Sequence, residues 1–268
     1  METQVQSPIE GRDTKTTGCY VYCVVPYAYE VCPDVTGIEG CRVYAIVHRG
    51  LGAIVHDCAA QPYRSEDAHL VASWVMAHHR VVEAAWERWG TVLPLTFNTI
   101  VKGADERSAV ENTRMWLDVE HEWLRARLSS LTGKVEYGIQ VFWDTETIAR
   151  TVAVTNSEVR KLQEEIESKP RGLAYMYRQK LENLLRKGLE ARAAEEFKDL
   201  YARISRCTAN VRAEKVKNGE LGRQMLVNLS CLVCQDRFPD LQAELDQVNN
   251  TEGFSVRLVG PLPPYSFC

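Results

Sequence analysis

Three places in this sequence hold residues of a type and spacing that could do chemistry: a pair of histidine-tipped tetrads, an adjacent histidine pair, and a Cys-x-x-Cys. The tetrads, Ala45-Ile46-Val47-His48 and Ala53-Ile54-Val55-His56, flank Arg49-Gly50-Leu51-Gly52 and read as a hairpin whose imidazoles could bind a divalent metal. Pairing that sets Val47 opposite Ile54 places His48 opposite Ala53 and His56 opposite Ala45. Side chains alternate along a strand, so the two rings fall on opposite faces and cannot share an ion. His78 and His79 are neighbours on a helical stretch and point roughly 100° apart. His78 shares the apolar stripe of Trp74 and Val82, which makes it a core histidine; a general base there would lack a nucleophile or acid to work with. Cys231-x-x-Cys234 has the spacing of a redox pair or of half a zinc site. In a strand these two thiols face opposite sides, and no second ligand pair of matching spacing exists, so they read as buried apolar thiols.

Other motifs are missing. Gly50-Leu51-Gly52 lacks the third glycine and the following helix of a dinucleotide loop, and there is no Gly-Lys-Ser/Thr phosphate loop. Zinc-protease and Gly-x-Ser-x-Gly signatures are likewise absent. No catalytic residue, metal ligand or cofactor is therefore expected. The 268 residues, 45% of them hydrophobic, suffice for one large domain or two small ones. A net charge of −4 with basic and acidic residues interleaved argues against nucleic acid as a partner. No apolar run reaches membrane-spanning length, and Met1 to Gly18 lacks the apolar core of a signal peptide, so no membrane association is expected and the place of action reads as the cytoplasm. The nine cysteines then read as reduced thiols.

What stands out instead is apolar surface on a fixed backbone. Val92-Leu93-Pro94-Leu95-Thr96-Phe97 and Leu262-Pro263-Pro264-Tyr265-Ser266-Phe267 combine large side chains with proline, which lowers the entropy lost on docking. Leu93, Pro94, Leu95, Phe97, Pro263, Pro264, Tyr265 and Phe267 are the candidate partner contacts, with inward packing as ordinary core the competing reading. Pro261, Pro263 and Pro264 bar the tail from helix and from inner strand, leaving it extended and docked on its own domain or on a partner. The mixed charges from Arg178 to Arg206 read as the solvated face of a helix.

The elements that must position these segments follow from periodicity. Residues 1–18 read as a disordered leader. Cys19 to Val25 is a strand, followed by a proline-bearing loop to about Gly40 and the hairpin. A helix capped by Ser65 runs to about Trp89, Thr91 to Phe97 is an edge strand or irregular segment, and a second helix spans Asp105 to Leu131. Val135 to Trp143 opens a second unit. It continues with a short helix from about Ser157, a long helix from Gly172 to Arg206, strands near Cys207 to Val216 and Met225 to Val233, a helix from Pro239 to Val248 and a strand at Phe254 to Val259. This order reads as α+β with an N-terminal domain at 19–133, a C-terminal domain at 134–259 and a tail at 260–268.

Gly260-Pro261-Leu262-Pro263-Pro264-Tyr265-Ser266-Phe267 resembles the Gly-Pro-Trp-Pro-Pro-Tyr-Ser-Phe ending of the GvpL/GvpF family of gas vesicle proteins. Cys19 to Val25, Val43 to His56, His78 to Glu83, Thr91 to Phe97, Gly133 to Val141 and Gly172 to Tyr175 resemble that family's segments in order. Leu262 stands where tryptophan is usual, Asn98 where glycine is usual, and Cys231 to Cys234 replaces an Ala-Tyr-Leu-Val-like stretch. The resemblance implies a ferredoxin-like unit in each half and a non-enzymatic gas vesicle assembly or minor structural protein. It further implies contact with the major gas vesicle shell protein and other accessory proteins, support of vesicle nucleation, and a location at the gas vesicle. The competing class is a small-ligand or metal-binding enzyme or sensor on the same units.

Overall fold

The computed structural model describes residues 17–26, 34–104, 106–168, 170–217 and 222–268. The chain divides between Thr132 and Gly133 into two compact units, each α+β and each built on its own antiparallel sheet.

In the first unit, β1 (Thr17–Pro26) is buried over its whole interior. Its apolar run on both faces fits a central strand, with α1 (Ala68–Trp89), α2 (Ala109–Val119) and α3 (His121–Leu131) packed against it. The hairpin β2 (Tyr44–His48) and β3 (Leu51–Ala59) lies on one side of β1, and the short strands β4 (Leu93–Pro94) and β5 (Ile100–Lys102) pair with its other edge. The expected leader lies outside the described residues up to 16, whereas Thr17 and Gly18 belong to β1, and residues 27–33 of the expected loop are likewise outside. The hairpin register differs from the expectation by two residues: Ala45 faces Ile54 and His48 faces Leu51. Arg49 at φ 48° and Gly50 at φ 79° close a two-residue turn.

Helix α1 is capped by Asp67, whose carboxylate accepts from the His69 and Leu70 amides; the expected cap Ser65 instead accepts from the Asp67 amide. The second helix is two helices, broken at Glu120 (φ −91°, ψ 9°), and it starts at a Ser108–Glu111 capping box rather than at Asp105, which lies outside the described residues. The bend turns His121 inward beneath the hairpin, where its Nε2 sits 3.2 Å from the Arg49 carbonyl. Asp118, near the end of α2, also holds the turn, 2.8 Å from His48 Nε2 and 3.1 Å from Arg49 Nη1.

The second unit runs β6 (Lys134–Asp144), α4 (Thr145–Thr155), α5 (Ser157–Ser168), α6 (Arg171–Arg206), β7 (Asn210–Ala213), β8 (Arg223–Cys234), α7 (Phe238–Asn249) and β9 (Phe254–Leu262), then a 3₁₀ turn at Tyr265–Phe267. Its strand order, β7-β8-β6-β9, is second-third-first-fourth, the same order as β2-β3-β1-β4. Helix α4 had no counterpart in the sequence reading, because Thr145, Thr147, Ile148, Thr151, Val152, Val154 and Thr155 make it a β-branched segment. The Asp144 side chain caps it, 2.7 Å from the Thr147 amide. Helix α6 has 36 residues and, at about 1.5 Å per residue, a length of about 54 Å. Leu200 and Ile204 bury its C-terminal part against the sheet, while α4 and α5 cover its N-terminal part. Gly188 makes the α4–α6 approach close, since a Cβ there would lie 2.8 Å from Val152 Cγ1.

Candidate functional site

The tail is placed by β9, which continues past Val259 through Pro261 to Leu262 as the edge strand of the second sheet, where proline removes no inward hydrogen bond. At Gly260 (φ 131°) a Cβ would lie 2.8 Å from both the Glu136 carbonyl oxygen and Tyr137 Cδ1, so that residue type is dictated by backbone and space together. Beyond Leu262 the chain is not extended: the Tyr265 amide donates to the Pro263 carbonyl at 2.7 Å and the Phe267 amide to the Pro264 carbonyl at 3.1 Å. The prolines do bar helix and inner strand, but they leave a compact turn open.

That turn seats on the sheet through a carboxylate. Glu136 on β6 is 5% exposed, a cost unless its oxygens find donors. Ser266 supplies both, its amide donating to Oε2 at 2.8 Å and its hydroxyl to Oε1 at 2.6 Å, with Ser230 Oγ of β8 3.1 Å from the same hydroxyl. Phe267, 4% exposed, lies beneath the Arg212 guanidinium, 5.4 Å from its ring centre. Pro263 and Pro264 are buried, and Tyr265 is half-buried. Sequence reasoning had no signal for Glu136, since it and Ser266 are 130 positions apart.

In the other candidate segment, Leu93 and Pro94 are buried as β4 opposite Val24 and Cys23, and present no surface to a partner in this conformation. Leu95 and Phe97 are half-buried. Leu95 hangs by its amide from the Tyr22 carbonyl at 2.9 Å. Phe97 stands edge-on to Tyr20 and His78, its ring centre about 6 Å from each. These rings border an aromatic cluster of the buried Tyr20, Tyr22, His56 and His78 with the half-buried Tyr63. Tyr20 Oη is 2.9 Å from His78 Nδ1 and accepts from the Asn98 amide at 3.1 Å; His56 Nε2 is 3.0 Å from Tyr63 Oη. Burial lowers both imidazoles from 6.5 to about 4, so they are neutral at neutral pH. His78 is thus the core histidine its stripe predicted. His56 is buried too and lies on the opposite face from His48, as strand alternation requires.

Cys231 is fully buried opposite Tyr137, and burial pushes its thiol up to about 12; Cys234 lies half-buried opposite Lys134. Among the described residues no group of three or more His, Cys, Asp or Glu side chains is arranged to hold a metal ion. None of the helices there is long and apolar enough to cross a membrane. Large apolar side chains do stand out into solvent on α2 and α3, where Met115, Val119 and Trp123 follow one another at four-residue spacing and Val119 is 75% exposed. Others, Leu173, Tyr175 and Met176, mark the start of α6.

These features define a two-unit α+β protein whose best-built polar cluster anchors its own tail and whose helices display apolar side chains. The family described as gas vesicle synthesis protein GvpL/GvpF matches residues 18–268, and the chain belongs to that family. Gas vesicle protein L1 of Halobacterium salinarum is 28% identical over 262 residues, covering 95% of this chain and 91% of that protein. Gas vesicle protein F of a Streptomyces species is 31% identical over 252 residues, covering 92% and 98% respectively. The crystal structure of GvpF from Anabaena sp. PCC7120 shares the fold with a TM-score of 0.74 at 18% identity, over 94% of this chain and 98% of that one. GvpF from Microcystis aeruginosa shares it at 0.63 and 17%, over 93% and 98%. The role of this chain therefore lies in gas vesicle assembly.

Proposed function

We propose that the protein acts in gas vesicle formation without catalysing a reaction, by binding the major shell protein and supporting vesicle nucleation. The observation that carries this reading is the family match across both units, residues 18–268. The physical task fits the exposed apolar surfaces of the protein. A shell protein with one face toward gas must expose apolar surface before it assembles, and a partner that covers that surface keeps it from aggregating. Of the eight contacts expected from sequence, Leu95, Phe97 and Tyr265 keep accessible surface, and Met115, Val119 and Trp123 add exposed apolar side chains on the two helices that flank the break at Glu120. Other gas vesicle accessory proteins are further partners, and the place of action is the vesicle within the cytoplasm. We further read both sheets as ferredoxin-like, because each has the order second-third-first-fourth, and we assign domains to 19–133 and 134–259 with 260–268 as a separate functional tail.

The test is co-expression of the tagged chain with the major shell protein, comparing the intact chain with one ending at Gly260. Retention of the shell protein by the intact chain supports the reading. Absence of retention by both, with cooperative melting of both, overturns it.

A further inference from the structure

His121 sits where the Arg49-Gly50 turn meets the break between α2 and α3, and its side chain is 9% exposed. Both of its ring nitrogens face acceptors. Nδ1 lies 3.0 Å from the Glu122 carboxylate and Nε2 3.2 Å from the Arg49 carbonyl oxygen. A carbonyl has no proton to give, and a carboxylate has none once ionised. The bond to His121 holds the Glu122 carboxyl below its ordinary range, so the ionised form is the one present at neutral pH. A neutral imidazole owns a single N–H and serves one of these acceptors, leaving a bare lone pair against the other. Only the imidazolium serves both.

From this we propose that the contact between the hairpin turn and the α2–α3 break is a proton-operated latch, closed while the His121 ring carries a proton on both nitrogens and opened when one is lost to solvent. The carboxylate is the stronger acceptor, so the proton that remains stays at Nδ1 and the one lost is that of Nε2. The lone pair left on Nε2 then opposes the Arg49 carbonyl, and the turn loses its bond to α3. Beside it His48 and Arg49 still meet Asp118, at 2.8 and 3.1 Å, so the opening is local. The charged and titratable groups on the elements that meet there are Glu120, Glu122, Arg125 and Arg127 around α3, Glu111, Arg114 and Asp118 on α2, and Tyr44, His48 and Arg49 on β2 and the turn. The strands packed against α3 are β1 and β4, whose only titratable side chains are the cysteines and tyrosines of β1. What the latch steadies is the joint between the exposed Val119 at the end of α2 and the exposed Trp123 at the start of α3. The proposal does not depend on the shell-protein reading, and its test requires no partner.

The test is nuclear magnetic resonance of the full chain. At about pH 6 both ring nitrogens of His121 should carry protons, and toward about pH 8 the Nε2 proton should go while Nδ1 keeps its own. Over the same range the protection of the Leu51 amide at the turn, corrected for the intrinsic exchange rate, should fall by about fivefold, the factor for one lost hydrogen bond. Glu122→Gln alters a side chain that is 81% exposed and so leaves the core intact. Its amide can donate to a bare Nδ1, which lets the neutral ring keep its proton at Nε2 for the Arg49 carbonyl. Leu51 protection should then lose most of its pH dependence. A His121 ring with a single proton throughout, or an equal pH dependence of Leu51 in both proteins, overturns the proposal.

Discussion

His56 and His78 show most plainly how burial decides what a residue does. Both rings are held near a pKa of about 4, against 6.5 in an open chain, because the aromatic cluster around them removes water from the charged form. The unfolded chain takes up protons at these positions as pH falls through 6.5, and the folded chain refuses them until about 4. Their contribution to stability is therefore full above 6.5 and is lost on acidification toward 4. Melting temperature measured across that range should fall, and a His56→Gln, His78→Gln chain should show a shallower fall; an equal slope in both proteins would remove the histidines from the account. At Gly260, where φ is 131° and no Cβ fits, Gly260→Ala should cost about 1–3 kcal/mol in denaturant unfolding. The fate of single residues was partly legible in the sequence. His78 announced its burial through the stripe of Trp74 and Val82, whereas the bond between Glu136 and Ser266 left no trace, because hydrogen bonds across a fold carry no periodicity.

At the scale of elements, hydrophobic period located most strands and helices, and local chemistry decided where they ended. Asp67 rather than Ser65 caps α1 because its carboxylate reaches two amides, and the Arg49-Gly50 turn shifted the hairpin register by allowing positive φ at both positions. The break at Glu120 was invisible because the inner stripe of Leu117, Leu124, Leu128 and Leu131 carries on across it. Helix α4 escaped notice for the opposite reason: its β-branched composition argues against helix, and packing against α6 overrides that preference. Two substitutions test these assignments by thermal or denaturant melts. Ser108→Ala removes half of the capping box and should cost about 1 kcal/mol. Gly188→Val should force α4 from α6, at about 1–3 kcal/mol, with Val152→Ala on the facing helix recovering part of the loss.

At the scale of the molecule, the α+β class and the family were both readable from sequence, the first from alternating periods of two and 3.6 and the second from the ordered segments that end in Pro-Pro-Tyr-Ser-Phe. What faces outward was not. Leu93 and Pro94 have the composition of a docking loop and are core, while Met115, Val119 and Trp123 have the composition of a core stripe and stand in solvent. Only the placement of the sheet tells the two apart. Residues 133–268, made alone, should melt cooperatively, since that unit has its own sheet and core; a featureless, non-cooperative transition would count against its independence. The shared strand order also bears on how the chain is born. In each unit a central strand of the sheet is the first to be synthesised, and its flanking strands arrive only after a further strand or a long helical stretch has followed. As the chain leaves the ribosome, β1 waits for β3 and β4, and β6 waits for β8 and β9. Both central strands thus emerge with their edges bare; β9 completes the second sheet after every helix of its unit, whereas α2 and α3 follow the last strand of the first, and long-range pairing of this kind slows folding relative to local helix formation.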